Sequence, residues 1–91
     1  MELRDALFYW LQMKLVCEAR PEDQAAKDTL AFFEQILSED HALEHYRIAE
    51  SDTVSIHVSA ESRGQVQSFR FDREMAEQLL GQIESNPKYN C

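Results

Sequence analysis

ALFYWLQMKLVC, residues 6–17, is the stretch on which the fold turns. From Glu2 to Ala19 there is no Pro or Gly and strong helix formers dominate, so a helix is predicted over 2–19. At about 100° per residue its apolar side chains fall into two lobes. Leu3, Ala6, Trp10, Met13 and Cys17 share one, widened by Tyr9 and Val16, while Leu7, Phe8, Leu11 and Leu15 share the other. Arg4, Lys14 and Glu18 run between them, and only Asp5, Gln12 and Ala19 form a polar back. A surface helix ordinarily shows one apolar stripe. This one must touch something on two sides.

Working outward, Pro21 ends the first helix by disfavouring helical backbone at Arg20, and it suits the first position of a second helix running to about Ser38. Glu22 and Asp23 would then meet the positive end of that helix. Ala25, Ala26, Thr29, Leu30, Phe32, Phe33, Ile36 and Leu37 form its apolar side. The tight connection makes the two helices antiparallel neighbours.

After the polar break SEDHA (38–42) the period changes to two. Strands are expected over Glu44–Glu50, Val54–Ala60 and Gln65–Phe71, with a turn at Ser51-Asp52 and a hairpin loop Glu61–Gly64. Tyr46, Ile48, Val54, Ile56, Val58, Ala60, Phe69 and Phe71 are the expected inward set. Asp72 is positioned to cap a last helix whose stripe is Met75, Ala76, Leu79, Leu80 and Ile83 and which stops at Asn86-Pro87. Gly81 inside that helix suggests a neighbour packed closely over it. The fold class is therefore α+β, a two-helix hairpin, a three-stranded antiparallel meander and a C-terminal helix (α-α-β-β-β-α), with the helices packed on one sheet face. The 91 residues make one small domain, with 86–91 expected as a mobile tail.

The formal charge of −8 argues against nucleic acid and anionic membranes, because both need clustered Lys and Arg. MELRD is not the cationic start of a secretory leader, and the first apolar run is too short to span a bilayer. Cys17 and Cys91 form no CxxC spacing, so a cytoplasmic protein with reduced thiols is expected, Cys17 buried and Cys91 on the tail.

His41-Ala42-Leu43-Glu44-His45 spells H-x-x-E-H, which resembles the zinc motif of the inverted zincin metallopeptidases, the insulinase and pitrilysin family. That resemblance implies zinc held by His41 and His45 on one helical face, with Glu44 activating water. The family takes its third ligand from a later helix, where Glu84 is the only acid near the far end. Here the string falls where helix yields to strand, so it reads as two solvent-facing histidines at a junction. His57 faces Ser55, Ser59 and the Arg70 side of the next strand, but no nucleophile elbow accompanies it. Gly64 and Gly81 are too far apart for a phosphate-cradling loop. No catalytic, cofactor or metal set emerges, and no enzyme activity is expected.

Association is the remaining reading. With the Trp10 lobe internal, Leu7, Phe8, Leu11 and Leu15 face outward, and Arg4, Phe8, Leu11 and Leu15 follow the spacing of a helix–helix seam. Covering such side chains contributes roughly 5–8 kcal/mol before association entropy. The expectation is a non-enzymatic interaction or regulatory protein of adaptor type, self-associating as a homodimer or binding a protein partner through Arg4, Leu7, Phe8, Leu11 and Leu15. The competing arrangement buries both lobes, with the first helix central between the second helix and the sheet. The alternative function is a metal or small-ligand site at His41 and His45.

Overall fold

The computed structural model describes residues 2–85, with side chains to residue 82. Its order is α1 (Leu3–Ala19), α2 (Gln24–Glu39), β1 (His45–Ser51), β2 (Ser55–Ser62), β3 (Gln65–Asp72) and α3 (Arg73–Ser85), which is the predicted α-α-β-β-β-α arrangement. The stop at Asn86-Pro87, the tail, Cys91 and the side chains of Ile83 and Glu84 lie outside the described residues.

Pro21 does not open α2. The Asp23 N–H donates to the Arg20 carbonyl at 3.0 Å, placing Pro21 and Glu22 in the middle of a four-residue turn. Asp23 is the N-cap instead, its Oδ1 accepting from the Ala26 N–H at 3.1 Å. A capping carboxylate satisfies an orphan helix donor, which a proline at that position cannot do.

The sheet is an antiparallel meander in the order β1-β2-β3. Register sets Tyr46 beside Ala60 and Gln67, Ile48 beside Val58 and Phe69, and Ser51 beside Ile56 and Phe71 on the core face. A bulge at Ala49 shifts the register between Ile48 and Glu50. Val54 is excluded from the inward set: it sits exposed in the β1–β2 turn, where Asp52 Oδ1 accepts from its N–H at 2.8 Å and from the Ser55 N–H at 2.7 Å. The β2–β3 loop is tighter than expected, since Glu61 and Ser62 still pair with Val66 and Gln65. Its two central residues, Arg63 (φ 54°) and Gly64 (φ 78°), are both left-handed, as a type I′ turn requires. Asp72 caps α3 as predicted, accepting from Glu74 and Met75 N–H groups.

The orientation of α1 corrects the main expectation. Leu7 and Leu11 are 0% exposed and belong to one cluster with Leu37, Ile56, Val58, Ala60 and Phe71; Phe8 and Leu15 are half-buried against it. Trp10, Met13 and Val16 on the other lobe are buried too. The helix packs against both α2 and α3 while its Leu7–Leu11 side joins the sheet residues in the core. Three neighbours bury the centre of both lobes and leave Tyr9 at the rim exposed, so α1 is the central helix of the domain. The competing arrangement is the one observed.

Two smaller corrections follow from the same packing. Met75, expected inward, is exposed, and nothing comes within 4 Å of a side chain built at Gly81. Cys17 is half-buried against Met13, Val16 and Ala26, not fully enclosed.

Candidate interaction face

With the Leu7 and Leu11 surface consumed, the large exposed apolar side chains on the helices, among the described residues, are Tyr9 of α1 (43% exposed), Phe32 of α2 (57%) and Met75 of α3 (56%). Each sits at the edge of its helix's apolar arc, where the arc outruns the neighbour that covers it. Phe32 and Tyr9 are joined through ring contacts, and Met75 lines a recess with Phe8 and Phe71. Phe32 meets Phe33 edge-on at 5.4 Å, Phe33 stacks on Tyr9 at 5.5 Å, and Tyr9 tilts against Phe8 at 5.9 Å. Phe8 then reaches Phe71 at 5.7 Å, and Phe71 stacks on Phe69 at 6.5 Å. A continuous chain of aromatic rings thus runs from the outside of α2, over α1, into the sheet. Such geometry adds about 0.5–1.5 kcal/mol per pair beyond area burial.

The sheet end of this chain is closed by Arg4. Its Nη2 donates to the Arg70 carbonyl at 2.8 Å and its guanidinium lies 4.8 Å from the Phe71 ring centroid. Arg4 therefore ties α1 to β3. A recess of about 240 Å³ beside it is lined by Arg4, Asp5, Phe8, Phe71, Asp72 and Met75. Of the five interface residues read from the sequence, Leu7 and Leu11 are core, Phe8 and Leu15 contribute half-buried surface, and Arg4 holds the edge strand.

The H-x-x-E-H string does not form a helix. α2 ends at Glu39, Ala42 has φ 54°, and His45 is already in β1. His41 and His45 therefore do not share a helical face. His45 points its Nε2 toward Glu61 at 3.9 Å with most of its side chain in solvent. Among the described residues no group of three or more His, Cys, Asp or Glu side chains is placed to hold a metal ion. His41 is half-buried, not solvent-facing as expected, and its Nε2 is sealed from solvent with no hydrogen-bond partner. It lines a half-open cleft of about 530 Å³ with Leu43, Ser62, Arg63, Gln65 and Gln67. The cleft exists because the core-facing positions of β3 change from Phe69 and Phe71 to Gln65 and Gln67, where the sheet outruns its helical cover.

The open sheet face is polar apart from the exposed Val66, which the register sets beside Glu61. Register aligns Glu50, His57 and Arg70 in one row and Arg47, Ser59 and Ser68 in the next. Burial pushes the Cys17 thiol up, reinforced by Asp23, so the thiolate needed for nucleophilic work is disfavoured. Burial, and then the Glu34 carboxylate, push the Tyr46 hydroxyl up as well, while the Tyr46 ring packs edge-on against Trp10.

Comparison with family models, curated proteins and solved structures returns no match. Tyr9, Phe32 and Met75 were hidden at sequence level because each counted as one more member of an apolar stripe. One signal was available: Asp5 precedes Tyr9 by four residues and Asp28 precedes Phe32 by four, so each exposed ring sits one turn from a carboxylate.

Proposed function

We propose that this chain is a non-enzymatic interaction protein, an adaptor or small regulator, that docks a protein partner through the aromatic face formed by α1, α2 and α3. The observation that carries the reading is the exposure of Tyr9, Phe32 and Met75 beside a continuous chain of rings, since aromatic residues and Met are enriched where proteins bind one another. Contiguous apolar surface on a small domain marks a binding site more often than isolated side chains do. A cytoplasmic setting belongs to the same proposal, supported by the free thiol of Cys17. No helix among the described residues is long and apolar enough to cross a membrane.

The test is a paired comparison of wild type with the double variant Tyr9→Ser, Phe32→Ser. The variant is expected to keep its circular dichroism and most of its stability, and to lose a partner that wild type retains from its source cell. A variant that unfolds, or retains the same partner equally well, sinks the reading.

A second reading is a small-ligand site in the His41 cleft, supported by the sealed Nε2 without a partner. A ligand screen followed by the His41 ring protons in NMR, with His41→Phe as control, tests it. Zinc added in the same assay supports a metal site only if the His41 and His45 signals shift together.

A further inference from the structure

The acids and bases of the three helices are not spread evenly around the aromatic face. On α1, Asp5 lies about 40° from Tyr9, whereas Arg4 and Lys14 each lie about 140° away. On α2, Asp28 stands about 40° from Phe32, and Lys27 about 140°. On α3, Arg73 is about 160° from Met75, with its guanidinium engaged by Glu77 and by the Asp52 carbonyl. Arg4, the one base that reaches the recess beside Met75, is held by the Arg70 carbonyl and the Phe71 ring. Every exposed helical hydrophobe thus has the bases of its helix on the far side, and the exposed rings have a carboxylate one turn away.

From this asymmetry we infer that the partner is a cationic amphipathic helix, laid across the aromatic face with its apolar stripe on Tyr9, Phe32 and Met75 and its Lys or Arg residues toward Asp5 and Asp28. The inference rests on the docking role proposed above and names its partner. A second copy of the chain is the poorer occupant. Twofold pairing on this face would bring two copies of Asp5 and Asp28 into one interface, within a chain already carrying a formal charge of −8. An anionic lipid surface is repelled for the same reason. The rings step by 5.4 to 5.9 Å from Phe32 to Phe8, so a helix of about four turns is long enough to lie along them.

The test uses three synthetic helical peptides of about 18 residues with the same leucine stripe and Lys, Gln or Glu on the polar face. Their binding to the full chain is measured by fluorescence anisotropy at about 50 and about 300 mM salt. The Lys peptide is expected to bind saturably and to weaken as salt rises, with the Glu peptide at least about tenfold weaker. Tyr9→Ser with Phe32→Ser is expected to weaken the Lys peptide about tenfold or more. Asp5→Asn with Asp28→Asn, which removes no packing, is expected to flatten the salt dependence. If the Gln and Glu peptides bind as tightly as the Lys peptide, docking stands and the charge preference is wrong. If the Lys peptide binds regardless of Tyr9 and Phe32, both the preference and the docking face fall. A concentration-dependent dimer in sedimentation at neutral pH and about 50 mM salt, where the acidic charge is neither titrated nor well screened, abolished by the aromatic double variant, assigns the face to a second copy and overturns the inference.

Discussion

Leu11 and Phe32 are both large, apolar and helical, yet one has no exposed surface and the other is more than half exposed. Their substitution should separate folding from binding. Leu11→Ala leaves a cavity between α1 and the sheet and is expected to lower stability by about 2–5 kcal/mol in urea unfolding. Phe32→Ser removes side chain that solvent already reaches, so a loss within about 1 kcal/mol is expected. Equal losses would mean that Phe32 is core and that the face is not free. Asp52 offers a second single-residue test. The N–H groups of Ser55 and Val54 donate to its carboxylate and hold it below the ordinary carboxylate range. Because the folded value is depressed, the stabilisation is complete above the unfolded value of about pH 4 and is lost as pH falls through the folded one. The stability difference between wild type and Asp52→Ala should therefore shrink as pH drops below about 4. A difference that stays constant across that window would remove the carboxylate from the turn's account.

At the scale of elements, the β2–β3 turn carries the clearest local conflict. Its first central residue needs a positive φ, which Arg63 adopts at a cost that Asn or Gly would reduce. Arg63→Asn creates the favoured Asn-Gly pair and should raise stability by about 0.5–1 kcal/mol, read as an increase in Tm. An unchanged or lower Tm would mean that the Arg63 side chain contributes something the turn geometry does not reveal. This turn also marks the limit of what the chain's pattern discloses. Period-two alternation set out the inward positions of β2 and β3 from Ile56 to Phe71, because burial on one sheet face leaves a local imprint. The cap at Asp72 was equally legible, being a contact within one turn of chain. Pro21 and Val54 were misplaced because a competing carboxylate, Asp23 in one case and Asp52 in the other, captured the backbone donors nearby. Whether both lobes of α1 are covered is not a local property: α2, α3 and the sheet decide it together, and none leaves a mark within residues 6–17.

For the molecule as a whole, charge and the aromatic face pull in opposite directions. The rings at Tyr9 and Phe32 favour association, while a formal charge of −8, with Asp5 and Asp28 beside the rings, opposes the approach of identical copies. Lowering the pH removes the net charge and leaves the apolar surface in place. As pH falls toward the isoelectric point near 4.7, repulsion between copies vanishes while the apolar surface is unaltered. Wild type is therefore expected to self-associate reversibly in that range, seen as a rise in weight-average mass by light scattering, with circular dichroism unchanged. Tyr9→Ser with Phe32→Ser, which leaves every carboxylate and base in place, should remove most of the rise. Salt at neutral pH should reproduce it weakly, because screening acts over about 8–10 Å and leaves the charges themselves in place. A wild type of constant mass through pH 4.7, or a double variant that associates just as strongly, would show that the aromatic face is not what acidity keeps apart.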